Sequence, residues 1–459
     1  MADRAAARRV PFPADKVRGR VLLPEDGSYS GECSGFQAGY RHRPDVVVAA
    51  ADADDVRTAV RHAAEHELPF AVQATGHGLG TALDGGVLVS TRRMAHVQVD
   101  AAARTARIGA GARWGDVIEE AARSGLAPLS GSGPGVGAVS YTLNGGVGLL
   151  AREFGYAADH VRSLDVVTSD GRLRHVTPDS EPDLFWALRG GGGRGGFGVV
   201  TELEIGLLPV ERFYGGQLIF DGALAGDVVE AWRAWTATVP EELTSSVTML
   251  VFPDVPALPD RLRGRYAAQV QIAYDGGRAE GERLVEPLRA VGPRLDETLR
   301  TMPYTESAGV YNEPGMPHGY QGANVLLGGE LPDREVLRSV LELTGPGAPS
   351  MTVLSLRHMG GALGREPEVP GAVGHRDAGH LMVLLSVTED AASPEADAMH
   401  ERVFGLVEPW TVGTNSNFLY GRASRAVPGV GPAVHGSEQR RRLRGLKALV
   451  DPVNLFGGI

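Results

Sequence analysis

Phe70-Ala-Val-Gln-Ala-Thr-Gly-His-Gly-Leu-Gly80 is the stretch on which the reading of this chain turns. An apolar run stops at Ala74, and one histidine stands between two glycines. Upstream, Val46 to Ala50 reads as a short buried strand. Residues 52–66 read as a helix with Val56, Ala59, Val60, Ala63 and Ala64 on one stripe and Asp52 or Asp54 as its cap. Strand, helix and strand therefore deliver the chain to Gly76-His77-Gly78. Taken alone, His77 is most economically a structural histidine in a tight turn; the rest of the chain gives it a second role.

The chain carries 63 glycines in 459 residues, about twice the usual share of roughly 7%. They cluster at 76–86, 109–115, 131–148 and 190–198. Gly109-Ala-Gly-Ala-Arg-Trp-Gly115 imitates a dinucleotide-binding fingerprint, but its third glycine comes one place late. The position where an acidic residue is expected falls among Ser130, Gly131 and Ser132, which argues against a nicotinamide-type Rossmann site. Pro128 to Gly148 is too rich in glycine to hold a helix or strand cheaply. Val136, Val139, Leu143 and Val147 are interleaved through it, so it reads as an ordered loop. Its bare N–H groups suit a pyrophosphate, although close packing of backbone on backbone would use glycine in the same way.

The length implies two domains, or one with a large insertion. A net charge of -11 without a long basic run argues against nucleic acid and anionic membranes as partners. The single cysteine, Cys33, excludes a disulfide framework, a cysteine-based zinc site and an iron–sulfur cluster. No metal site is expected, and His375 and His380 read as solvated loop residues. Arg8 and Arg9 are not followed by an apolar region, so the expectation is an unexported, cytoplasmic protein. No stretch approaches the roughly 20 apolar residues of a membrane span. After Leu208 glycine thins out, and strand-like runs alternate with helical ones as far as about Val412. This pattern predicts an antiparallel sheet with helices on one face. From Asn415 the chain turns glycine-containing again and ends in a helix, 438–450, and Asp451-Pro-Val-Asn-Leu-Phe456.

Several of these segments, in this order, carry a family resemblance: Thr75-Gly-His-Gly78, Leu129-Ser-Gly-Ser-Gly-Pro-Gly-Val-Gly137, Tyr141-Thr-Leu-Asn-Gly-Gly-Val-Gly148, Tyr156-Ala-Ala-Asp159, Asp165-Val-Val-Thr-Ser-Asp-Gly171, Pro182-Asp-Leu-Phe-Trp-Ala-Leu-Arg-Gly-Gly191, Phe197-Gly-Val-Val-Thr201 and the C-terminal Asp451 to Phe456. Together they resemble the FAD-linked oxidases of the berberine bridge enzyme type, in the vanillyl-alcohol oxidase superfamily with its PCMH-type FAD-binding domain. The match is dense over about 40–208, recurs over 415–456 and is weak between.

The resemblance implies an α+β fold. A two-lobed FAD-binding domain, 1–208, is completed by a C-terminal return, 413–459, and the substrate-binding domain, 209–412, is inserted between them. It implies FAD bonded through its 8α-methyl to His77. The other implied cofactor contacts are Ala74, Thr75, Gly76, Gly78, Leu79, Gly80, Gly131, Ser132, Gly133, Gly137, Tyr141, Asn144, Gly145, Gly146, Gly148, Asp159, Val200, Asn417 and Asn454. Members with two covalent links carry cysteine at the place of Gly133, so attachment through His77 alone is implied. Many members place a tyrosine base two residues before an Asn-Phe pair; here Asn415 precedes Asn417-Phe418, and an amide is no base at working pH. Where a glutamate is sometimes found ahead of the Gly-Gly-Ala, this chain has Ser355. Tyr420 and His358 are then the favoured catalytic bases, with Tyr304 and Tyr311 behind them. The expected reaction is oxidation of an alcohol or of a phenolic, polyketide-like or alkaloid-like intermediate of secondary metabolism. Hydride passes to flavin N5, and O2 is reduced to hydrogen peroxide. Two rivals stand beside it: a cyclase or isomerase with structural FAD, and a non-catalytic ligand-binding flavoprotein.

Overall fold

A computed structural model describes residues 11–389, 393–421 and 434–458; Arg8 and Arg9 lie outside the described residues. Three sheets organise it. The first is four-stranded, in the order Arg20–Leu22, Val46–Ala49, Val87–Ser90, Phe70–Gln73. Its last three strands run parallel, which requires the crossover helix Ala53–Glu65. Asp52 caps that helix by accepting from the N–H groups of Asp54 and Asp55. Val56, Ala59, Val60 and Ala63 are buried against Val46, Val48, Val87 and Val89. The strand Phe70–Gln73 thus ends at the edge of this sheet and releases the chain into the glycine-flanked loop at His77.

The second sheet has five antiparallel strands, ordered Val97–Asp100, Thr105–Gly109, Val199–Gly206, Val161–Val167, Leu173–Val176. Against it pack the helices Trp114–Ala122, Ala138–Leu143 and Pro182–Gly195 in one large core. Glycine behaves here otherwise than the sequence reading expects. Residues 138–143 form a helix inside the glycine-rich stretch. The glycine run after Leu188 continues a helix across a kink at Arg189–Gly190. Gly190 has φ +109°, and a Cβ there would lie 2.5 Å from Val373 Cγ2, so the kink lets another segment pass against the helix backbone.

The third sheet is nine-stranded and antiparallel throughout, as the alternation after Leu208 predicts. Its central strands are Arg212–Asp221, Tyr266–Tyr274, Leu243–Val251, Thr352–His358, His380–Val387 and Tyr320–Leu327. Helices Ala225–Thr236, Arg278–Arg289, Arg334–Thr344 and Pro394–Val407 cover one face, meeting Leu218, Val247, Val270, Leu354, Leu356, Met382 and Leu384. Because side chains alternate across a strand, the intervening residues point the other way, towards the first two sheets. Phe213, Ala273, Met302 and Tyr304 join the core of the second sheet from this side.

The C-terminal helix Ser437–Val450 brings the chain back. Lys447 Nζ, buried, donates to the carbonyls of Gly196 at 2.7 Å and Gly457 at 2.6 Å and pairs with Asp451. Asp451 in turn accepts from the N–H groups of Leu455 and Phe456. Phe456 packs edge-on to Phe70, 5.5 Å between centroids, at the root of the His77 loop. Among the described residues, no helix is long and apolar enough to cross a membrane and no group of three His, Cys, Asp or Glu could hold a metal.

Candidate active site

Gly76 has φ +72°, and a Cβ there would come within 2.5 Å of Gly35 Cα, so two glycines let the loop cross the segment 34–37. Phe36 and Gln37 donate backbone N–H groups to Thr75 and Gly76. The His77 ring stacks on Phe36, 4.0 Å between centroids and 9° between planes. Its Nδ1 lies 2.8 Å from Thr75 Oγ1, which also accepts from Gly137 N. The Thr75 oxygen keeps a second lone pair, which can accept the Nδ1 proton and leave Nε2 as the unprotonated nitrogen. Tyr320 donates its hydroxyl to the His77 carbonyl at 2.6 Å. Ring, backbone and one nitrogen are therefore fixed, leaving Nε2 as the nitrogen with chemistry still open. A Cβ on Gly135 would meet Nε2 at 3.8 Å, so the second glycine loop passes over this edge of the ring.

Burial, then the charges of Arg113 and His318, lowers the pKa of His77 to about 4 and keeps the imidazole neutral. Burial likewise holds His380, His400 and His435 at about 4 and, helped by Arg152, His358 at about 2. In the unfolded chain each titrates near 6.5. Between these values the unfolded state binds more protons, so stability is full above pH 6.5 and falls as pH drops towards 4. The urea midpoint should therefore decrease from pH 7 to pH 5; a constant or rising midpoint would contradict neutral burial of these rings.

The glycine loops fit an anionic, planar cofactor. Among the described residues, no backbone N–H from Gly76 to Gly80 or from Gly131 to Gly133 donates within the protein, nor does that of Gly135. Successive bare N–H groups form a concavity suited to phosphate. The Tyr141 hydroxyl is buried without a partner beside them, and burial raises its pKa against the lowering influence of Arg357. Gly131 and Gly146 would each strike the Tyr141 ring if they carried a Cβ, at 2.9 and 2.5 Å. Asn417 crosses from the C-terminal part, with its Oδ1 accepting from Gly146 N at 2.8 Å and its Nδ2 donating to Tyr141 O at 2.9 Å. Asn144 Oδ1 accepts from Ser416. Gly145 bonds back to Thr142, and Gly148 lies over the Ser130 carbonyl. A Cβ at Gly133 would meet Glu313 Oε2 at 3.1 Å.

Other residues fall elsewhere. Asp159 makes a buried ion pair with Arg376 at 2.6 Å and caps Tyr156 N–H. Val200 is a core residue opposite Val166, and Asn454 is exposed with φ +53°. Ala74 receives Arg92 Nε on its carbonyl, while Ser132, Leu79 and Gly80 are half-buried in the loops. Asn415 is buried and bonded twice to Asn324. Tyr420 stands edge-on to Tyr320, 5.3 Å between centroids, and its backbone bridges Gly322. Tyr304 shares a 3.1 Å bond with Ser130. His358 points to the helix-covered face: its Nε2 lies 2.8 Å from Arg152 Nη1, and it packs near Trp232. His380 corrects the expectation of a solvated residue, for it is buried in a strand and stacked on His358.

The face of the third sheet turned towards the loops is polar although buried. One cross-strand row reads Gln217, Gln271, Ser246, Arg357, and beside it stand Gln269, Thr248 and Ser355. Ser246 Oγ bonds Gln271 Oε1 and the Tyr311 hydroxyl, both at 2.8 Å. Thr248 Oγ1 lies 3.2 Å from Gln271 Oε1, to which it can donate, and 3.1 Å from Ser355 Oγ, from which it can accept. This array was missed from sequence, though its signal was present: alternate polar residues at Ser246 and Thr248 and at Gln269 and Gln271, within strands otherwise apolar.

A family model described as an FAD binding domain matches residues 44–177. (R)-6-hydroxynicotine oxidase of Paenarthrobacter nicotinovorans is 32% identical over 308 residues, 65% of this chain and 64% of that protein. The chain thus spans slightly under two thirds of that relative. An uncharacterized FAD-linked oxidoreductase of Bacillus subtilis (strain 168) is 25% identical over 96% of both chains. Among solved structures, 6-hydroxy-D-nicotine oxidase from Arthrobacter nicotinovorans superposes with a TM-score of 0.80 at 25% identity, covering 96% of each chain. Xylooligosaccharide oxidase from Myceliophthora thermophila C1 shares the fold, with a TM-score of 0.80 at 21% identity over 95% of each. With the His77 loop and the glycine cradle in view, the chain carries an FAD binding domain over residues 44–177 and is similar beyond it to FAD-linked oxidoreductases.

Proposed function

We propose that the protein is an FAD-dependent oxidase of a small organic substrate, with the cofactor tethered covalently and solely through His77 Nε2. The observation that carries this reading is the fixed, neutral His77 ring, whose Nδ1 is engaged by Thr75 while Nε2 faces the glycine loop. Residues 1–208 and 413–459 would hold the cofactor, with the loops 76–80 and 131–137 about its phosphates and Tyr141, Asn144 and Asn417 beside it. Residues 209–412 would supply the substrate face. Gly133 offers no thiol, so no second tether forms. Bound FAD would supply the two-electron acceptor, taking hydride at N5 and passing the electrons to dioxygen as hydrogen peroxide.

The protein's own part is orientation and proton removal. The polar sheet face and the rings of Tyr141, Tyr311 and Phe418 would orient the substrate. Tyr420, on the side of Tyr320 that anchors His77, would take the proton; His358 would brace Arg152 across the sheet. Substrates would be alcohols or phenolic, polyketide-like or alkaloid-like intermediates of secondary metabolism, handled in the cytoplasm. The test needs no substrate. Holoprotein reduced anaerobically with dithionite and then exposed to oxygen should reoxidise within seconds and release one equivalent of peroxide, whereas persistence of the reduced spectrum for many minutes would overturn the oxidase reading. Asn415 and Ser355, neither of them a base, favour as second reading a cyclase or isomerase with structural FAD, and slow reoxidation is its expected result.

A further inference from the structure

The buried arginines of this protein reach carbonyl, imidazole or carboxylate acceptors. Arg152 gives its N–H groups to the carbonyls of Leu243 and Met359 and to His358. Arg189 bonds the carbonyls of Ala158, Val369 and Pro370, and Arg376 grips Asp159. Arg357 breaks this pattern. Its Nε is buried without an acceptor, and its recorded partners among the described residues are two ring faces, Tyr311 at 5.0 Å and Phe418 at 4.7 Å from Cζ. Cation–π contacts, worth about 0.5–2 kcal/mol, engage only the faces of this half-buried guanidinium. Its in-plane N–H groups are left for a carboxylate, which can take two of them at once.

The surroundings say what that carboxylate belongs to. Arg357 ends the row Gln217, Gln271, Ser246 on the sheet face turned to the glycine loops. Tyr311 is pinned by Ser246 and cannot turn its hydroxyl to the cation. The chief electrostatic influences on Tyr141 come from Arg357 and the rings of Tyr304, Tyr311 and Tyr420. A site with one unneutralised guanidinium and several aromatic faces attracts a planar anion and repels an ammonium. We propose that Arg357 receives the carboxylate of the substrate, and that the substrates of this chain are aromatic carboxylic acids and not cationic amines. This rests on the FAD oxidoreductase reading for the location of the site, and it goes beyond that reading in naming the substrate class.

Benzoate and its uncharged isostere benzamide are the probes, titrated calorimetrically into flavin-loaded protein. Benzoate should bind at least about tenfold more tightly, the difference one charge-assisted hydrogen-bond pair makes. Arg357→Gln should abolish the preference, and Arg357→Lys should keep part of it, since a point charge replaces a fork. Equal binding of the two probes, no binding of benzoate, or a preference that survives Arg357→Gln overturns the proposal. So does Arg357→Gln acting on sulfite affinity of the flavin alone, because Arg357 would then serve the cofactor. Peroxide release on reoxidation, measured on the same preparations, reports separately on the oxidase reading.

Discussion

His77→Ala protein, precipitated with acid, should leave a colourless pellet, while the wild-type pellet stays yellow. One ring decides the outcome. Thr75 occupies Nδ1 at 2.8 Å, Phe36 covers a face at 4.0 Å, and Tyr320 holds the backbone carbonyl. Burial keeps the ring unprotonated, with its pKa at about 4, so near neutrality Nε2 has the electron pair that a bond to carbon requires. Removing the imidazole removes the only proposed tether, and covalent flavin should fall from near stoichiometric to none. Noncovalent FAD bound by the loops should still colour the native variant, and its circular dichroism should match the wild type. Yellow colour retained in the His77→Ala pellet would place the attachment elsewhere; colour lost from the wild-type pellet would abolish the covalent reading.

Asp159→Ala should be the most destabilising of the substitutions considered, by about 3–5 kcal/mol, because it strands a buried charge. Asp159 and Arg376 have side chains 9% and 7% exposed and meet at 2.6 Å. Asp159 also closes the turn at Tyr156 N–H, and Arg376 stacks over the Tyr156 ring at 5.0 Å. Chemical denaturation should show the loss in the midpoint with the slope unchanged. Flavin content corrected for the folded fraction should hold if the residue acts through Arg376, and should fall if it touches FAD itself. A midpoint unchanged from wild type would mean that the pair is solvated.

What the sequence disclosed, and what it hid, follows from the range of the interactions involved. The strand, helix and strand leading to His77 were legible because an apolar stripe and an Asp cap are local. The antiparallel third sheet with helices on one face was legible for the same reason. The helix at 138–143 was not, since glycine density masks a six-residue apolar segment that tertiary packing against Trp114 stabilises. Arg376 as the partner of Asp159 lies 217 residues away, a separation that no periodicity reports. The orientation of His358 was hidden by parity: in the strand Thr352–His358, Ser355 and Arg357 take one face and Leu354, Leu356 and His358 the other. Knowing the strand without its register leaves the choice between Arg357 and His358 open.

That parity has a consequence for how such a protein diversifies. The helix-covered face of the third sheet carries the folding core, and the opposite face carries polar residues whose hydrogen bonds are mainly with one another. Replacements that remove both partners of a hydrogen bond on this face can therefore redraw the recognition surface at little cost to the folding core, whereas removing one strands the other in a buried site. Selection, natural or in the laboratory, can explore new chemistry by varying bonded positions together, and a library that changes positions 217, 246, 248, 269, 271, 355 and 357 in such groups should stay mostly folded.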